Sequence, residues 1–80
     1  MKLTPLIERA IQKAALLHKG QERKGGGIPY VTHLFSVAVL LSEYTDDDEI
    51  IASGILHDTI EDTEYTPEAL RADFGDRIAD

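Results

Sequence analysis

Apolar residues recur along this chain at helical spacing, and nowhere do they alternate as a half-buried strand would require. Ile7, Ala10, Ile11, Ala14, Leu17 and His18 lie three or four apart and mark one face of an amphipathic helix, closed by Gly20. Thr4 and Pro5 supply its start: a hydroxyl to cap free N–H groups, then a proline whose missing N–H costs nothing at the first position. A second helix is predicted from Thr32 or His33 to Ser42 or Tyr44. On it His33, Val37, Leu40, Leu41 and Tyr44 fall within about 100° of arc, so they are the predicted buried face, with His33 at its head. A third helix runs through Ile50, Ile51, Ile55 and Leu56 into Gly54-Ile55-Leu56-His57-Asp58-Thr59-Ile60-Glu61-Asp62-Thr63. On that helix Ile50, Gly54, His57, Asp58 and Glu61 share a face, and Gly54 would let a neighbouring helix approach closely and help bring His33 to the site. Thr66-Pro67 repeats the cap-plus-proline start for a fourth helix ending at Phe74-Gly75. Asp76 can cap a fifth from Arg77, which completes one turn before Asp80; one turn cannot stand alone, so the chain reads as cut within an element. The fold class is all-α, a bundle of four to five helices forming a single domain over residues 1–80, or the first half of one.

Residues 20–32 interrupt this periodicity with four glycines and a proline, and they read as a loop. No Gly-Lys-Ser/Thr follows the glycines, so the loop is not a phosphate-cradling P-loop. Its Arg23-Lys24 pair is the unusual feature: solvated surface by default, an anion clamp if a phosphate or metal site lies nearby.

The charge pattern narrows the classes of function. Net charge is −7 over 80 residues, with the acids crowded after Asp46, so the chain lacks the clustered cations of a nucleic-acid binder. The run Asp46-Asp47-Asp48-Glu49 is best explained as the carboxylate-rich start of the third helix and not as a cation site. Absence of cysteine removes disulfide frameworks and thiolate zinc sites. The longest apolar run falls far short of the roughly 18 residues of a membrane span, and the expected setting is the cytoplasm.

Chemistry concentrates where the third helix ends. His57, Asp58, Glu61 and Asp62 place four ionisable groups in six positions at the end of an apolar run. Such groups are costly to bury unless paired, hydrogen-bonded or metal-bound. Imidazole with carboxylate and no sulfur suits Mn²⁺, Fe²⁺ or Zn²⁺. His18, at the end of the first helix, is expected to be satisfied by helix carbonyls, with a contact to the site as the alternative.

Taken in order, Ala15-Leu16-Leu17-His18-Lys19-Gly20-Gln21-Glu22-Arg23-Lys24, Pro29-Tyr30-Val31-Thr32-His33, the Gly54–Thr63 stretch, Thr66 and Phe74-Gly75 resemble the HD superfamily of metal-dependent phosphohydrolases. Within it they resemble the RelA/SpoT-type guanosine polyphosphate 3′-pyrophosphohydrolases. The resemblance implies the N-terminal part of an HD-domain helical bundle with His33, His57 and Asp58 as metal ligands, usually for Mn²⁺. It implies Glu61 and Asp62 as the catalytic acidic pair, and Arg23 and Lys24 as contacts to the nucleotide. Metal-activated water would attack the 3′-diphosphate and release pyrophosphate. Two departures stand out: Leu34 follows His33 where the family usually has proline, and the fourth ligand, an aspartate normally about 60 or more residues beyond His-Asp, has no counterpart here. The expected consequence is an impaired 80-residue piece with apolar surface open to self-association. The alternatives are a degenerate HD module that binds a nucleotide or partner without catalysis, and an HD phosphatase for another nucleotide, such as the 2′-phosphate of NADPH.

Overall fold

Local capping chemistry sets the helix boundaries. The computed structural model describes residues 2–22 and 26–79, and among these it holds five helices: α1 (Pro5–Leu17), α2 (Val31–Ser42), α3 (Asp48–Asp62), α4 (Pro67–Phe74) and α5 (Asp76–Ala79). Thr4 accepts from the Ile7 amide, Asp47 from Glu49 and Thr66 from Ala69. Each such cap contributes about 1 kcal/mol. Gly75, at φ 90°, ends α4 with its N–H on the Arg71 carbonyl, a left-handed conformation that disfavours a Cβ. The predicted helices are all present, and the acidic run 46–49 does cap α3.

The central element is α3, which packs against α1, α2 and α5. Its buried residues Ile51, Ala52, Ile55, Leu56 and Thr59 form one broad stripe. Ile7, Ala10 and Ala14 of α1 meet it, two of them alanines that let the helix axes lie close. The Thr4 hydroxyl donates to Asp48 Oδ2 at 2.9 Å and so ties the start of α1 to the start of α3.

The packing of α2 departs from the predicted face. Leu34 and Ala38 are the buried residues, Leu41 packs at the core edge, and Leu40 and Tyr44 are exposed. The cause lies in the composition of α2: Val31, Leu34, Phe35, Val37, Ala38, Val39, Leu40 and Leu41 surround the helix with apolar groups, so periodicity cannot select a side. Gly54 of α3 selects it. A Cβ built there would collide with Leu41 Cδ1, so the Leu41 side chain of α2 fills the space that a side chain at position 54 would take. Gly54→Ala displaces only the end of a flexible side chain and regains helix propensity. Gly54→Leu has no such remedy and is expected to cost about 1–3 kcal/mol in urea unfolding; an unchanged midpoint would contradict this close approach.

A second clamp joins α1 to α4. Tyr65 is buried and its hydroxyl donates to Asp73 Oδ2 at 2.7 Å, Lys13 Nζ lies 3.3 Å from the same oxygen, and Arg9 donates to the Asp73 carbonyl while stacking over Phe74. Burial first, then the Asp73 hydrogen bond and charge, pushes the Tyr65 phenol well above its ordinary value. The Tyr65 bond, then that from Lys13, holds Asp73 below the usual carboxylate range. A raised phenol adds stability that is full below the ordinary phenol value of about 10 and is lost as pH climbs above it. Tyr65→Phe is therefore expected to flatten the alkaline decline in unfolding midpoint above about pH 10. Asp73 acts in the opposite sense, its contribution present above the ordinary carboxylate range and lost as pH falls through its depressed value.

Candidate functional site

The site forms where the end of α1, the following loop, the start of α2 and the second half of α3 converge. His18, the C-cap of α1, is 3% exposed, and side chains rather than helix carbonyls satisfy its ring. Nδ1 lies 2.6 Å from Gln21 Oε1, which can only accept, so the ring donates there. Nε2 lies 3.3 Å from the Thr59 hydroxyl, which also reaches the Ile55 carbonyl at 2.9 Å. The expected carbonyl satisfaction of His18 is thus replaced by contact with the site, because the loop folds Gln21 back beneath the ring. That fold is held by the Gln21 amide on the His18 carbonyl, the Tyr30 amide on the Gln21 carbonyl, and an isolated bridge between Glu22 and Pro29.

Tyr30 stacks on His18 at 4.6 Å between ring centroids and meets His33 in a T-shaped contact at 5.5 Å. Its hydroxyl donates to Asp62 Oδ2. Gln21 Nε2 reaches the Asp62 carbonyl at 3.4 Å, so one loop holds the last residue of α3 at both backbone and side chain. Beside this loop lies a recess of about 190 Å³ lined by His18, Lys19, Gln21, Glu22 and Pro29 among others, smaller than the roughly 300 Å³ at which small-molecule sites begin.

The three expected metal ligands occupy the same region but do not all meet. His33 Nε2 and Asp58 Oδ2 face each other at 3.8 Å, and among the described residues that buried Asp58 oxygen has no hydrogen-bond partner. A buried, unpartnered carboxylate oxygen opposite an imidazole nitrogen fits a divalent cation, which would satisfy both. His57 is turned to α5, where its Nε2–H donates to the Ile78 carbonyl at 3.1 Å, an acceptor shared with the Ser53 hydroxyl at 3.3 Å. A neutral His57 ring therefore keeps only its Nδ1 lone pair for a cation. Among the described residues no group of three or more histidines and acids is gathered into a metal-binding cluster. Glu61 and Asp62 are exposed at the end of α3, open to water. Arg23 and Lys24 lie outside the described residues.

Sequence reasoning singled out neither Tyr30, Gln21 nor Thr59 as a site contact. Thr59 carried a signal, a hydroxyl on the buried stripe of α3. Tyr30 and Gln21 carried none that local pattern can express, since their roles depend on the path of the loop.

A family model for the HD domain matches residues 10–80. Over 72 residues the chain is 53% identical to a protein named GTP pyrophosphokinase from Streptomyces coelicolor, covering 90% of this chain and 8% of the relative. It is 44% identical over 73 residues to a guanosine-3′,5′-bis(diphosphate) 3′-pyrophosphohydrolase from Aquifex aeolicus, covering 91% of this chain and 10% of the relative. A protein of the latter name from Haemophilus influenzae is 43% identical over 63 residues, which is 79% of this chain and 9% of the relative. The chain thus spans at most a tenth of the length of these curated relatives. No helix among the described residues is long and apolar enough to cross a membrane.

Proposed function

The chain belongs to the HD-domain family, and from that premise we propose that it carries the metal-binding half of a phosphohydrolase acting on guanosine polyphosphates such as guanosine 3′,5′-bis(diphosphate), from which it releases pyrophosphate. The observation that carries this reading is the His33–Asp58 pair, an imidazole and an unpartnered buried carboxylate oxygen 3.8 Å apart, one turn of helix before an exposed acidic pair. Hydrolysis of a diphosphate needs charge offset at the phosphoryl oxygens and a base for water, and the site offers the residues for both.

His33 and Asp58 would hold the cation, with His57 contributing through Nδ1, or through Nε2 if it leaves the Ile78 carbonyl. Nitrogen and oxygen donors suit Mn²⁺, Fe²⁺ or Zn²⁺, and we favour Mn²⁺ by resemblance. When bound, the ion lowers the pKa of water and offsets phosphoryl charge. Glu61 accepts the proton of the attacking water, and Asp62, held by Tyr30, orients that water or returns a proton to the leaving group. Arg23 and Lys24 would contact the nucleotide, with Lys19 in the adjacent recess as a further cation for its phosphates. Relatives carry both pyrophosphokinase and pyrophosphohydrolase names; the water-accessible Glu61 and Asp62 favour hydrolysis for the part represented here. Because His57 is committed to Ile78, turnover by this chain should be slow. The exposed Phe35, Val39 and Leu40 of α2 support self-association, and the setting we favour is the cytoplasm.

The test is pyrophosphate release from guanosine 3′,5′-bis(diphosphate) with and without Mn²⁺. Slow, manganese-dependent release that disappears in His57→Ala and Glu61→Ala supports the enzyme. Nucleotide binding without release would favour a binding module, and release of phosphate from NADPH instead would move the substrate.

A further inference from the structure

We infer that Tyr30 is a positioning residue whose hydroxyl fixes one oxygen of the Asp62 carboxylate, so that the other faces the reacting water. This rests on the proposed hydrolytic reading of Asp62. The argument begins with where Asp62 stands. It is the last residue of α3, preceded by Glu61, and no basic side chain occupies that last turn. Carboxylates there oppose the helix dipole, so stability does not explain them. An exposed aspartate at a helix end would also sample several rotamers. Here the Tyr30 hydroxyl donates to Oδ2 and selects one of them, with no hydrogen bond to Oδ1 from the described residues.

Tyr30 is itself rigidly held. Its ring lies on the buried His18 at an interplanar angle of 16°. His18 is fixed in turn by Gln21 and Thr59. The Tyr30 amide donates to the Gln21 carbonyl at 2.8 Å, and Gln21 reaches the backbone of Asp62. The same ring meets His33, one member of the candidate metal pair, in a T-shaped contact. One aromatic side chain thus contacts both His33 of the metal half and Asp62 of the water half. Groups in this supporting position typically change activity by about 10- to 100-fold when removed.

The experiment compares the full chain with Tyr30→Phe, Asp62→Asn and the double variant. Phenylalanine keeps the stack on His18 and removes only the hydroxyl. With Mn²⁺ and guanosine 3′,5′-bis(diphosphate), Tyr30→Phe should lower kcat about 10- to 100-fold with KM and manganese affinity unchanged. In the Asp62→Asn background the same change should have no further effect, as expected of two residues acting through one bond. An unchanged kcat, or an equal loss in both backgrounds, overturns the inference. Should the wild-type chain show no manganese-dependent release, the hydrolytic reading fails, and the Asp62 carboxyl carbon-13 signal decides the contact. Its displacement in Tyr30→Phe, in an otherwise unchanged amide spectrum, supports Tyr30 as the group that positions Asp62; an unmoved signal overturns it.

Discussion

If the proposed function holds, manganese is expected to raise the melting temperature of the wild-type chain, and Asp58→Asn to abolish that rise while leaving the metal-free protein at least as stable as before. The asymmetry follows from the geometry. In the metal-free fold the buried Asp58 Oδ2 has no hydrogen-bond partner among the described residues and stands 3.8 Å from His33 Nε2, so the lost hydration of that oxygen costs about 1 kcal/mol or more. An amide at the same place carries no charge to desolvate. For the wild type, an ion that binds only the folded state at about a hundredfold its Kd adds about 2.7 kcal/mol. Each kcal/mol moves Tm by about 4–8 °C in a domain of this size, so the rise should be roughly 10–20 °C. Calorimetry with and without Mn²⁺ measures both quantities. An equal rise in the variant, or a metal-free loss of more than about 1 kcal/mol, would show that Asp58 is there for the fold and not for a cation.

Leu56→Ala should remove a large part of the stability of the chain. Leu56 is fully buried on α3, the helix that α1, α2 and α5 all contact, so the surroundings have little freedom to collapse into the space left behind. Truncations of this kind cost about 3–5 kcal/mol, against a total of about 4–12 kcal/mol for a domain of this length. Leu40→Ala is the control. Leu40 is 55% exposed on α2, and its truncation should stay within about 0.5 kcal/mol. Urea unfolding of both variants separates them; comparable losses would mean that α2 packs on the face its periodicity suggested.

That pair of leucines shows where sequence reading reached its limit. Helix ends were legible because caps are local: Thr4, Asp47, Thr66 and Gly75 act on amides and carbonyls within a few residues. The buried stripe of α1 was legible because polar residues interrupt it; on α3 the face singled out from the sequence, Ile50, Gly54, His57, Asp58 and Glu61, lies beside the buried stripe of Ile51, Ala52, Ile55, Leu56 and Thr59. On α2 no polar residue breaks the apolar surround apart from Thr32, His33, Ser36 and the terminal Ser42, and periodicity placed Leu40, not Leu34, on the predicted buried face. The Gly54 notch decided between them. His33 was expected to be brought to α3 by that close approach, and it does stand opposite Asp58.

His57 marks the opposite case. Its neighbour in sequence, Asp58, turns towards His33, while His57 turns towards α5 and the Ile78 carbonyl. Adjacent positions on a helix diverge by roughly 100°, so a His-Asp pair does not by itself aim both side chains at one ion.

By itself, then, the sequence determined the all-α class, the order and ends of the helices, and the types of group available for chemistry at the end of α3, because each depends on interactions within about one helical turn. The tertiary structure alone decided which face of α2 is buried, that Asp58 Oδ2 and His33 meet while His57 turns to Ile78, and that Tyr30 crosses from the loop to hold Asp62. Those are contacts between residues 21 to 32 positions apart. Their geometry is set by how closely the helices pack, a property carried by Gly54 and the buried alanines and expressed only when the chain is folded.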